Sequence, residues 1–191
     1  MKKAAILAMV VLLLTGYGAS VWAADFTGNV NVFVGKKYLD DDDWGDLDHQ
    51  TELGLKVDFA QRRWPINIAI DLLGSSDSET IDGVNYEGKT TEFCVGVRKI
   101  FQVDKTGLFN PYIGGGLAFV RAELEQSYRS YYQSDDDTNL GIWLNGGIYF
   151  TLSQHFNIGL DLRYSKAEVT LFDTHGEAGG THIGLILGYH W

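Results

Sequence analysis

Between Phe156 and Ser165 the sequence FNIGLDLRYS puts Phe156, Ile158, Leu160, Leu162 and Tyr164 in one register and Asn157, Gly159, Asp161, Arg163 and Ser165 in the other. Successive side chains of a strand point to opposite sides, so this period of two is a β-strand with one apolar and one polar face. The pattern recurs in eight segments, at 26–38, 50–60, 64–74, 89–101, 109–122, 139–152, 155–167 and 180–191. In TELGLKVDF, for example, Leu53, Leu55, Val57 and Phe59 oppose Glu52, Gly54, Lys56 and Asp58. Each segment is about ten residues or longer, the length a tilted strand needs to cross a bilayer.

The connections alternate between short (QRR, QVDKTGL, SQ) and long (DDDDWGDLDH, SSDSETIDGVNYEG, LEQSYRSYYQSDDDT, TLFDTHGEAG). At its short-turn end every segment carries an aromatic residue on its apolar face: Phe26, Phe59, Trp64, Phe101, Phe109, Phe150, Phe156 and Trp191. Inside a soluble barrel such a ring would overcrowd one end. Around a membrane barrel it is an interfacial girdle. The predicted fold is therefore all-β, an eight-stranded antiparallel up-and-down transmembrane β-barrel with its charged face inward. That face holds Lys37, Glu52, Lys56, Asp58, Asp71, Glu92, Arg98, Asp161 and Arg163. Eight strands leave room for little besides side chains, so these charges are expected to pair and fill the lumen rather than line an open pore. Gly114, Gly116, Gly141 and Gly147 share the inward phase and leave space for Tyr112, Trp143 and Tyr149, while Cys94 reads as an inert lumen residue.

The N-terminus has the form of an export signal. Lys2 and Lys3 precede an apolar core from Ala4 to Leu14, and Val21 and Ala23 occupy the −3 and −1 positions of a cleavage site. The expected division is a signal peptide over 1–23 and a barrel domain over 24–191. Loss of the two lysines takes the net charge from −10 to −12, which argues against nucleic acid as a partner. With Cys94 the only cysteine, there is no intramolecular disulfide.

NPYIGGGLAF, GGIYFTLSQHFNIGLDLRYS and the terminal GLILGYHW make the chain resemble the eight-stranded outer membrane β-barrels of Gram-negative bacteria, the OmpA/OmpX-like group. The resemblance covers the whole of 24–191. It implies a place in the outer membrane, contact with its lipid and lipopolysaccharide, and recognition of the last aromatic by the barrel-assembly machinery. That residue is most often Phe in the family and is Trp191 here. No peptidoglycan-binding domain is expected after the barrel. An activity does not follow, because the family includes adhesins, stress-related surface proteins, small-solute channels and a few enzymes.

The enzymes it resembles are lipid A deacylases, which carry a His-x-Ser pair on a late strand. The matching stretch here is Arg163-Tyr164-Ser165, and arginine does not deprotonate to serve as a base. Arg163 and Ser165 also share the inward phase, away from lipid. Arg163 thus reads as a lumen residue paired with Asp161 or another carboxylate. His49, His155, His175, His182 and His190 lack ligand spacing and read as lumen or rim residues. No cofactor is expected.

The distinctive feature is acidity in two loops: Asp40, Asp41, Asp42, Asp43, Asp46 and Asp48 in the first, and Asp135, Asp136 and Asp137 in the third. Carboxylate oxygens suit calcium and magnesium, which makes Asp40, Asp42, Asp43, Asp135, Asp136 and Asp137 candidate ligands for a divalent cation. The first run fails the EF-hand pattern, with Trp44 at its fifth position and Thr51 at its twelfth. Like charges that keep a loop solvated account for the run without a bound ion. Tyr128, Tyr131 and Tyr132 add aromatic surface to the third loop. The function expected is that of a non-enzymatic surface protein with acidic external loops. The alternatives are a small-solute channel and, behind it, a deacylase-like enzyme.

Overall fold

The computed structural model describes residues 26–81, 83–103, 106–128 and 131–191. The expected signal segment and its cleavage site lie outside these residues. The strands are β1 (Phe26–Tyr38), β2 (His49–Gln61), β3 (Asn67–Ile81), β4 (Val84–Ile100), β5 (Phe109–Tyr128), β6 (Tyr131–Leu152), β7 (Phe156–Lys166), β8 (Glu168–Leu171), β9 (Thr174–Glu177) and β10 (Gly180–His190), with a short helix, α1 (Asp41–Trp44), followed by a 3₁₀ turn over Gly45–Leu47. Eight of them close a barrel in the order β1-β10-β7-β6-β5-β4-β3-β2. Each pair is antiparallel, and β1 and β10 seal the ring from Asn29↔His190 to Tyr38↔Thr181. Beyond that ladder the Trp191 N–H donates to the Gly28 carbonyl at 3.1 Å, and the Gly28 N–H donates back at 3.2 Å.

The alternating pattern sorts the faces as the sequence predicts. All nine inward charges are at most 2 % exposed, whereas Leu160 is 53 % exposed on the outside. The outer face also marks where an apolar layer ends. Phe93, Phe119 and Leu140 are cross-strand neighbours, and the next outward positions are Thr91, Arg121 and Thr138, again in register. On β7 and β10 the change falls between Tyr164 and Lys166 and between Ile183 and Thr181. From Phe101 in the girdle to Phe93 is eight residues. At about 3.3 Å per residue and a tilt near 40° that gives roughly 20 Å, close to the apolar band of such barrels.

The long connections differ from expectation. Those between β3 and β4 and between β5 and β6 are not open loops: the strands run on past the apolar band as paired ribbons, to Ile81↔Val84 and Tyr128↔Tyr131. Above the band the outer face turns polar, so the hydrophobic alternation vanishes although the backbone ladder continues. The last long connection holds the β8–β9 hairpin, turned at Phe172 and Asp173 with φ of 48° and 63°. The short β6–β7 connection uses the same geometry, with φ of 50° and 65° at Ser153 and Gln154. Two central residues with positive φ match the twist of an antiparallel pair. The third strand begins at Asn67 rather than 64, because Pro65 has no N–H for the ladder.

Candidate functional site

Two regions carry the polar chemistry: the lumen, and the loops that close one end of it. At the short-turn end the lumen opens into a cavity of about 650 Å³, lined in part by Asn29, Asn67, Asn110, Tyr149 and His190. Its floor is an amide layer. Asn157 Nδ2 donates to Asn29 and Asn31 at 2.9 and 3.1 Å, and Asn29 and Asn67 donate to Asp58 at 2.9 and 2.6 Å.

Above this layer lies the main charge network. Arg98 bridges Asp58 at 3.2 Å and Asp71 at 2.8 Å. Arg163 also pairs with Asp71, donates to Cys94 Sγ at 3.2 Å and lies 4.7 Å from the Trp143 ring centre. Asp161 belongs instead to Lys56, at 2.5 Å, and accepts from Asn145 at 3.0 Å and from the Tyr112 hydroxyl. The partner of Arg163 is thus the other carboxylate that the sequence left open, contributed from across the barrel. Gly147 makes room for this packing: a Cβ there would fall 2.5 Å from the Tyr112 hydroxyl oxygen.

A third layer joins Lys37, Glu92, Ser165, His182 and Glu52. Lys37 Nζ donates to Glu92 at 2.7 Å, Thr90 at 2.9 Å and the Ala178 carbonyl at 2.8 Å. His182 Nδ1 lies 2.9 Å from both Glu52 oxygens, and its Nε2 lies 3.0 Å from Ser165 Oγ. Sequence reasoning found no base beside Ser165; β10 supplies one from a separate segment, and the shared inward phase of Ser165 and His182 was its only trace. The row Ser165–His182–Glu52 has the spacing of a nucleophile, base and orienting acid. Its proton flow is wrong for that role. Ser165 also lies 2.9 Å from the Glu92 carboxylate, the stronger acceptor for its hydroxyl proton. Glu92 Oε1 lies 3.4 Å from His182 Nε2 as well, so a carboxylate faces both members of the row. Ser165, His182, Glu52 and Glu92 are all at most 1 % exposed.

The long-loop end is covered. Asp40 caps α1, accepting from the Asp42 N–H at 3.1 Å, and three acids in its first turn complement the helix dipole. The chain leaves α1 through Gly45 and buries Leu47. Leu39, Leu47, Ala167, Val169 and Ala178 are buried at this end, and Trp44 and Leu171 pack against the cluster that holds Ala167, Val169 and Ala178.

The acidic runs serve as hydrogen-bond acceptors within this cover. Asp43 accepts from the Glu177 N–H at 2.7 Å, Asp135 from Phe172 at 2.6 Å and Asp137 from Thr170 at 2.8 Å. Asp136 pairs with Arg121 at 3.2 Å. Both runs therefore reach the β8–β9 hairpin rather than one another. Among the described residues, only Asp40, Asp41 and Asp42 bring one oxygen each within 4.8 Å of the others, and all three are exposed. On the outer face above the band, Lys89 lies 2.7 Å from Glu125 and 3.0 Å from Glu87. The hydrogen bond to Glu125 raises the Lys89 pKa and lowers that of Glu125.

The comparisons agree with this architecture. The outer membrane protein beta-barrel domain family matches residues 9–191. No curated protein sequence matches the chain. Among solved structures, Ail, the attachment invasion locus protein of Yersinia pestis, superposes with a TM-score of 0.59 at 15% identity, over 87% of this chain and 99% of its own; that structure is a complex with the heparin analogue sucrose octasulfate. Neisserial surface protein A gives 0.52 at 13% identity over 86% and 94%. OprG of Pseudomonas aeruginosa gives 0.53 at 12% identity over 87% and 94%. At such identities the likeness is one of fold. With its strand-borne apolar band, aromatic girdle and closed eight-stranded ring, the chain belongs to the outer membrane protein β-barrel family and resides in the outer membrane of a Gram-negative cell.

Proposed function

We propose that this protein is a non-enzymatic surface protein whose working part is the acidic loop end, facing the cell exterior. The observation that carries the reading is the lumen: its charges pair with one another in successive layers, and an apolar cover lies over them. A solute path would need a continuous gap, whereas the 650 Å³ cavity is lined by residues of the short-turn end alone. An acyl-transfer site would need a serine open to lipid with hydrogen-bond donors around it. Ser165 has Glu92 beside it and is sealed from solvent.

The ligand of Ail does not carry over. A sulfated polyanion brought to this loop end would meet Asp40–Asp43, Asp46, Asp48 and Asp135–Asp137, and like charges repel. The loops suit cationic partners, or phosphate-rich lipopolysaccharide bridged by a divalent cation at Asp40, Asp41 and Asp42. Residues 1–23 act as the export signal in this reading, and Trp191 presents the assembly signal to the barrel-assembly machinery.

Protease added to intact cells tests the placement. Cleavage is expected near 40–48 or at the tip of the β5–β6 ribbon, with the barrel strands left whole; cleavage only after the outer membrane is opened contradicts it. Calcium slows the cut at 40–48 where those carboxylates share an ion. A rate unchanged by chelator removes the cation bridge and leaves the topology standing.

A further inference from the structure

Between loop one and the inner face of the β3–β5 ribbon lies a second cavity, of about 260 Å³. We propose that this cleft binds a small organic cation, an ammonium group on a short apolar body. The proposal deepens the surface reading and rests on it for access from outside the cell.

One wall is built by Trp44. Its indole Nε1–H donates to the Glu177 carbonyl at 2.8 Å, while the neighbouring Asp43 accepts from the Glu177 N–H at 2.7 Å. Both residues of α1 are thus tied to the β9 backbone. The ring also lies so near β4 that a Cβ at Gly88 would sit 3.2 Å from it. The opposite wall is the ribbon, where Glu79, Tyr86 and Gln126 are cross-strand neighbours.

The lining sets out a chemistry. Trp44 and Tyr86 present aromatic rings, whose electron-rich faces attract cations, most strongly where water is displaced. Leu47, Ile81 and Leu124 offer apolar contact. Asp43, Asp46 and Glu79 bring negative charge to the same cleft. No Lys or Arg lines it, and among the described residues neither the Asp46 nor the Glu79 side chain has a hydrogen-bond or ion-pair partner. An anion is repelled, and a neutral hydrocarbon leaves those carboxylates unused. The volume lies just below the usual range for drug-sized ligands, which limits the guest to a few heavy atoms around its charge.

The test uses the protein refolded in lipid nanodiscs and follows the Trp44 indole N–H by NMR. The probes are choline and its uncharged isostere 3,3-dimethylbutan-1-ol. Choline is expected to give a saturable shift of that signal, with the alcohol about tenfold weaker or inert. Tyr86→Leu is expected to weaken choline about tenfold, and the pair Asp46→Asn with Glu79→Gln about fivefold, with added salt acting in the same direction. Asp173→Asn, at the β8–β9 turn and outside the lining, should leave choline binding unchanged. Equal shifts from choline and the alcohol, a choline shift that never saturates, or indifference to the Asp46 and Glu79 changes would each overturn the proposal. Binding to purified protein tests the cleft, and protease on cells tests its placement, so the two readings fail separately.

Discussion

Arg163→Glu is expected to destabilise the barrel by about 3–5 kcal/mol in urea unfolding from lipid vesicles, the range for a buried ion pair broken by loss of one partner. Arg163 is 1 % exposed, pairs with Asp71 and stacks over Trp143. The change places a second carboxylate beside Asp71 and leaves both far from water. Arg163→Met separates the two parts of the effect. It removes the cation but adds no charge, and Asp71 keeps Arg98 at 2.8 Å, so its loss is expected to be smaller. An Arg163→Glu effect within about 0.5 kcal/mol, as for an ordinary surface site, would place this face in water.

The same strand supplies the second large effect. Leu160 faces outward between Ile148 and Leu185 on the neighbouring strands, four residues from the girdle residue Phe156. At about 3.3 Å per residue on a tilted strand it lies roughly 10 Å into the apolar band, near the midplane. Leu160→Arg is therefore expected to cost about 2–4 kcal/mol, against about 0–1 kcal/mol for Thr181→Arg at the edge of the band. Unfolding from vesicles reads both. Equal costs at the two depths would contradict the membrane placement of this face.

The sequence made some of this legible and concealed the rest for identifiable reasons. Period-two alternation separates Leu160 from Arg163 without ambiguity, and the aromatic ring decides which side meets lipid. The identity of ion-pair partners is not local. Arg163 reaches Asp71 on β3, not Asp161 on its own strand, because the closed ring sets β7 and β3 facing across the lumen. The meeting of Ser165 with His182 has the same origin. The extended β3–β6 ribbons escaped notice because alternation reports burial, and above the band neither face is buried in lipid. The α1 turn did leave a local trace, Asp40 followed by three more acids, which is also how a solvated charge run looks. Trp44 and Tyr86 come from segments about forty residues apart, and only the fold brings their rings to one cleft.

The claim on which the functional reading depends is that the lumen is filled and covered. Current recorded across a planar bilayer containing the refolded protein tests it most directly. A filled lumen predicts no discrete conductance steps above those of protein-free bilayers, at either polarity. Reproducible unitary steps from the wild-type protein would contradict it and favour the channel.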